Sequence, residues 1–294
     1  MNYSDQFRVK PGTTPDLSKI DASFTDQHEH KDSALAELNH NTKRLAKLQY
    51  LMYAEQQRAL LIVLQAMDAG GKDGTVNHVM AAMNPQGCSV YGFKGPTQEE
   101  LAHDYLWRIH KCTPGKGRVS IFNRSHYEDV LVVRVHDLVP KKVWSKRYDE
   151  INAFERQLVD NGTHILKFYL HIDKDEQLAR FKQRIDDPAR HWKISESDYA
   201  ERAYWDDYQT AFQDALGRCS TDGAPWFIIP ANHKWFRNLA VSQILVETLE
   251  SLKMEFPAPS VDIEEIRKKY HAAEEAENGE KAKKGNGKRK KDKN

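Results

Sequence analysis

Five short apolar runs constrain this chain most. They are Leu60 to Gln65, "GCSVYGF" from Gly87, "RVSIF" over 118–122, "HILKFYL" over 164–170 and "WFIIP" over 226–230. Most are continuously apolar, which suits strands buried on both faces of a parallel sheet. The segments between them read as helices. Leu35, Leu38, Leu45, Leu48, Leu51 and Met52 recur at three- and four-residue spacing, which predicts a helix over 31–58. A second is expected over 74–83, stopped at Asn84-Pro85. Thr97 and Glu100 form a capping box that opens a helix through His110. Others are expected over 140–160, over 174–186 ending at Asp187-Pro188, after a Ser195/Asp198 cap, and over 235–253. Strands alternating with helices imply βαβ units and an α/β fold.

The ends differ from this body. Residues 1–30 are polar, contain Pro11 and Pro15, and are expected to be an extended segment before a single domain over 31–256. Residues 271–294 are Ala, Glu, Gly and Lys with almost no apolar side chains, the composition of a disordered basic tail. A formal charge of +1 argues against a nucleic-acid or membrane binder. Three dispersed cysteines, none in a CxxC pair, argue against a disulfide framework or zinc site and fit a reducing compartment. The polar N-terminus lacks an apolar signal core, and no run approaches the roughly 18 apolar residues of a membrane span. The expectation is a cytoplasmic protein.

"LIVLQAMDAGGKDGT", from Leu61 to Thr75, has the form of a phosphate-binding loop: a strand, a glycine turn, a lysine and a helix start. Such a turn places the backbone N–H groups of Ala69, Gly70, Gly71, Gly74 and Thr75 and a helix N-terminus around an anion. Lys72 adds a point charge. Two positions depart from the general pattern. Ala66 stands where the first glycine belongs, and Asp73 replaces the Ser or Thr that would bind Mg²⁺. Asp73 can act at a metal or cap the helix. Asp68 is a further carboxylate candidate for Mg²⁺, directly or through water.

The third run leads into "VSIFNRSHYEDVLVVRVH". Nucleotide-dependent enzymes with such loops end this strand in a carboxylate; here Asn123 takes that position. Arg124 follows at the carboxyl end of the strand, where open α/β sheets bind ligands. Glu128 and Asp129 are candidates for metal or nucleotide, Arg134 for nucleotide or polyanion, and His126 reads better as a structural residue. "ARFKQRIDDPARHWK" gathers Arg180, Lys182, Arg184, Arg190 and Lys193 between the fourth and fifth strands. Enzymes of this kind carry a closing lid there, expected over 174–205. Trp192 and Trp205 are expected in core or hinge packing.

With these residues in place, the chain resembles the polyphosphate kinase 2 family, most closely its class III branch. The matching segments are "QAMDAGGKDGT", "NPQGC", "LWRIH", "IFNRSHYEDVLVVRVH", "INAFER", "DDPARHWK", "WDDYQ", "APW" and "KWFRNL", in order over about 55–255. The resemblance implies a thymidylate-kinase-like P-loop kinase fold: three layers, α/β/α, with a five-stranded parallel sheet and a helical lid. It implies reversible Mg²⁺-dependent phosphoryl transfer, with Mn²⁺ as a substitute, from inorganic polyphosphate to AMP and ADP. It further implies adenine nucleotides, with guanine open, and a dimer or tetramer.

By motif match, Asp68, Lys72, Arg124 and Arg184 take catalytic roles. Glu128 lies where class III enzymes favour nucleoside monophosphates, and Asn123 is the class III residue at its position. Lys111, Lys116 and Lys142 are candidates for a basic channel, and 231–238 for base contacts. The alternatives are an ATP-dependent nucleoside or nucleoside-monophosphate kinase of the same fold, against which Asp73 and Asn123 argue, and a polyanion binder acting through the tail.

Overall fold

The computed structural model describes residues 2–291. Five strands form one parallel sheet: β1 (Ala59–Gln65), β2 (Cys88–Gly92), β3 (Val119–Asn123), β4 (Thr163–His171) and β5 (Trp226–Pro230). Their order is β2-β3-β1-β4-β5. Every residue of β1 and β5 is buried, as their continuous apolar runs require; β2, at the sheet edge, is half exposed. Helices Lys31–Glu55 and Lys72–Val79 each pack on Lys234–Ser251, and helices Arg147–Asp160 and Trp205–Cys219 pack together in another layer. The result is the expected three-layer α/β/α fold.

Register brings the functional ends together. Leu64 pairs with Asn123, and Gln65 with Tyr169, so β1, β3 and β4 finish on one edge. From β1 the chain goes to β3 and β2 on one side and to β4 and β5 on the other. That reversal of strand order is where open α/β sheets form a crevice.

Three expectations change. The helix expected over 97–110 is two short turns, Gln98–Leu101 and Trp107–His110. The capping box forms, but the Asp104 carboxylate accepts the Leu106 N–H at 3.0 Å and restarts the chain. Residues before 31 are not a free lead-in. Tyr3–Phe7 is helical, the Val9 N–H donates to Trp226 O at 2.9 Å, and Tyr3, Val9 and Leu17 are buried. This segment covers the edge of β5, as a bare strand edge requires. The chain divides into two compact units, Met1–Glu255 and Phe256–Asn294. In the second, Ile263–Lys291 is helical where disorder is expected. Asp262 caps it by accepting from Glu264 N, and Glu265 and Lys269 pair at 2.8 Å. The last three tail residues lie outside the described residues. Among those described, no helix is long and apolar enough to cross a membrane.

Candidate active site

The loop after β1 is held open by its own backbone. Ala69 has φ 61° and Gly71 φ 104°, so the chain turns twice through left-handed geometry. A Cβ on Gly70 would meet Ala66 Cβ at 2.4 Å and Met67 O at 2.9 Å, so glycine is required there. Ala66 is accommodated at the position where a glycine is usual: it is buried, and its carbonyl accepts from Lys72 Nζ at 3.0 Å. Burial lowers the Lys72 pKa, the charge of Arg124 adds to this, and Asp68, Glu128 and Asp73 oppose it.

Arg124 follows β3 with φ 61°, its N–H bound to Leu64 O at 3.1 Å. A non-glycine residue held in that conformation stores strain, which the surrounding structure must over-determine. The turn aims the guanidinium at Asp68 (3.1 Å) and Glu128 (3.9 Å). Burial opposes the Arg124 charge, but Glu128 and Asp68 outweigh it and raise the pKa. Beneath this turn, Gln65 Nε2 donates to Ser125 Oγ at 3.2 Å. His126 is fully buried, 3.1 Å from Glu155, and takes no part in the cleft.

Asp73 accepts from Asn123 Nδ2 at 2.8 Å and faces Lys193 Nζ of the lid at 3.4 Å. Burial opposes its charge, yet the Asn123 hydrogen bond and Lys193 hold its pKa below the ordinary aspartate value. On the lid, Arg184 donates to Lys193 O at 2.9 Å and lies 3.7 Å from Asp198. Trp192 does not pack in the core: it is 77% exposed, whereas Trp205 is buried as expected.

Two cavities open at this edge. One, of about 440 Å³, has a mixed lining that includes Leu131, Val132, Trp192, Tyr208, Glu128 and Gln177. The other, of about 670 Å³, runs along the loop and is lined by Lys72, Lys94, Arg180, Arg184, Lys234 and Arg237, among others. Asp68, Arg124, Lys193 and Asp198 line both. Asp68, Ala69, Gly70, Gly71, Lys72, Asp73, Gly74, Asn123, Arg124, Glu128, Arg184 and Lys193 are therefore gathered at one cleft.

Other candidates are not brought there. Thr75 is buried within the loop helix, donating to Gly71 O. Asp129 pairs with Arg147 at 2.9 Å, and Arg134 pairs with Asp214 at 2.6 Å over the Trp144 ring; neither lines either cavity. Burial pushes the Asp129 carboxyl up to about 6, with Arg147 opposing. Lys111 lies over the Trp107 ring, and Lys142 lines a separate depression; Lys116 lines neither cleft cavity. The 231–238 segment supplies cations, Lys234 and Arg237, rather than a base pocket. Arg237 carries a sequence signal of its own: it is the one charged residue among the buried positions of helix Lys234–Ser251, most of which are apolar.

Among the described residues no three His, Cys, Asp or Glu side chains form a preassembled metal cage. Mg²⁺ needs no such cage, since it keeps waters and binds through one or two carboxylates plus substrate phosphates. Asp68 and Glu128, both lining the mixed cavity, are oxygen donors of that kind.

The family model described as polyphosphate kinase 2 matches residues 28–257. The chain is 53% identical over 262 residues to the AMP/ADP-polyphosphate phosphotransferase of Meiothermus ruber, covering 89% of this chain and 98% of that protein. It is 46% identical over 264 residues to the ADP-polyphosphate phosphotransferase of Rhodopseudomonas palustris, covering 86% and 91% respectively. The crystal structure of polyphosphate kinase 2 from Arthrobacter aurescens TC1 superposes with a TM-score of 0.89 at 42% identity, covering 92% of this chain and 97% of that one. A family match over residues 28–257, with a sequence and a fold shared with these proteins over most of its length, places the chain in the polyphosphate kinase 2 family.

Proposed function

We propose that this chain transfers a phosphoryl group from inorganic polyphosphate to AMP and to ADP, forming ADP and ATP, in the presence of Mg²⁺ with Mn²⁺ as a substitute. The observation that carries this reading is the junction of the two cavities at Asp68 and Arg124. The loop cavity has the cationic lining and volume to take a polyanion. The mixed cavity has apolar and aromatic walls for a nucleoside. Their shared wall is where a donor and an acceptor phosphate would meet. The name of the Meiothermus relative supports polyphosphate with AMP and ADP, and that of the Rhodopseudomonas relative supports polyphosphate with ADP.

Phosphoryl transfer passes through a loose transition state, so positioning and charge stabilisation do most of the catalysis. An oxygen of the nucleotide's terminal phosphate attacks the terminal phosphorus of the chain in line. The bond from that phosphorus to its bridging oxygen breaks, and the polyphosphate leaves one unit shorter. No protein nucleophile is required. Lys72, Arg124 and Arg184 hold the transferring group, and the lid excludes water. Asp68 and Glu128 would hold the metal ion, which when bound neutralises charge between donor and acceptor. The purified chain, given Mg²⁺ and polyphosphate with AMP or ADP in separate reactions and no ATP, is expected to make ADP from the first and ATP from the second. Strict dependence on ATP would instead identify the ATP-dependent kinase.

A further inference from the structure

Arg237 is 2% exposed and lies against the start of the loop helix. A Cβ on Gly71 would come within 1.9 Å of its Nη1, and one on Gly74 within 2.9 Å of its Nη2. The two glycines thus leave room for this guanidinium. Its Nε and Nη2 share one neutral acceptor, Asn238 Oδ1, at 3.1 and 2.8 Å. Among the described residues no carboxylate pairs with Arg237, and Nη1 has no protein acceptor. The charge that acts on it is another cation. Arg180, 4% exposed, is itself satisfied by Glu176 and by the carbonyls of Ala69, Ala231 and Asn232. Burial, and then Arg180, pushes the Arg237 pKa down to about 9. An arginine buried beside a second arginine without an acid costs stability. Both line the basic cavity.

We infer that Arg237 is a phosphate ligand: its Nη1 edge, with the open backbone of Gly71–Gly74, binds one unit of the polyphosphate chain. A planar guanidinium with a free edge matches a phosphate's oxygens. Arg180 and Arg237 follow β4 and β5, whereas Arg124 follows β3, on the other side of β1. The chain is therefore gripped on both flanks of the loop, with transfer at the Arg124 flank and retention at the Arg237 flank. This inference rests on the reading of the basic cavity as the polyphosphate site.

The test is thermal melting of the full chain with and without polyphosphate at matched ionic strength, for the wild type, Arg237→Gln and Arg237→Lys, alongside steady-state kinetics. The wild type is expected to melt higher with polyphosphate. Arg237→Gln without polyphosphate should melt no lower than the wild type, because an unpaired buried charge has been removed. Its polyphosphate-induced shift should fall by at least half. Its KM for polyphosphate should rise about tenfold to a hundredfold, the loss expected for one charge-assisted hydrogen bond, with KM for AMP unchanged. Arg237→Lys should fall between the two. A glutamine variant that melts well below the wild type without polyphosphate, or keeps its full shift and KM, overturns the inference. A wild type with no shift would overturn the assignment of the cavity itself.

Discussion

Asn123 Nδ2 donates to Asp73 Oδ1 across 2.8 Å, tying the end of β3 to the first turn of the loop helix. In the general P-loop arrangement the helix supplies a hydroxyl and the strand a carboxylate. Here the polarity is reversed: the carboxylate stands on the helix and the strand offers an amide donor. The pair keeps a single negative charge, and Lys193 reaches it from the lid.

Asn123→Asp would set two carboxylates where one is now satisfied. Like charges that close cannot both ionise without a cation between them. Divalent metal should then be held more tightly, and the added charge should repel polyphosphate. Initial-rate titrations with Mg²⁺ are expected to give half-saturation at several-fold lower metal and a raised KM for polyphosphate, with unchanged curves counting against the coupling.

Lys72→Ala removes the only side chain bound back to the loop carbonyl of Ala66 among those described. Removing one preorganised donor at a developing charge costs about 10²- to 10³-fold in turnover. The fold should survive, since the lysine sits at the cleft and not in the core. Near-normal activity in this variant would exclude the scheme of phosphate capture by the loop.

The same lysine sets a pH dependence. Its folded-state pKa lies below the ordinary value of about 10.4, chiefly through burial. The folded chain therefore sheds this proton before the unfolded chain does, and the stability penalty of the buried charge is relieved as pH rises through the lowered pKa. On the proposed role of Lys72 as a phosphate-holding ammonium, activity falls over the same window. A profile of kcat/KM is expected to show an alkaline limb below the ordinary lysine value while melting temperature does not fall with it. A limb at or above that value would contradict the effect of burial.

Next to the turn after β3, Lys167 Nζ lies 2.5 Å from Glu155 Oε2 and donates to Tyr127 OH (2.9 Å) and Cys219 O (2.6 Å), all within the core. Burial opposes the Glu155 charge, but Lys167 holds its pKa below the ordinary glutamate value. Lys167→Met would strand that carboxylate and should cost about 3–5 kcal/mol. The double substitution with Glu155→Leu is expected to recover much of the loss in a denaturant titration, whereas additive losses would mean the pair is not coupled.

Much of the architecture was legible in the residues themselves. Continuous apolar runs announce buried parallel strands because every side chain of such a strand faces a packed layer. Gly70, Gly71 and Lys72 announce the loop because a Cβ at either glycine would collide, with Ala66 at the first and with Arg237 at the second. The Thr97 and Ser195 caps formed as read. The break near Asp104 was not legible, since a local Asx hydrogen bond competes with the helix and leaves the apolar pattern intact.

The direction of each charge was decided only by tertiary packing. Glu128 and Asp129 are neighbours in sequence, yet one lines the cleft and the other turns to Arg147. Arg134 reads like a phosphate ligand but is taken by Asp214, while Arg237, on a mostly apolar buried helix, comes to the loop. Hydrophobic spacing reports which side of an element is buried, because burial of apolar area is local and additive. Which anion or cation a long side chain meets depends on the elements packed opposite it, and those are brought near only when the sheet order is complete.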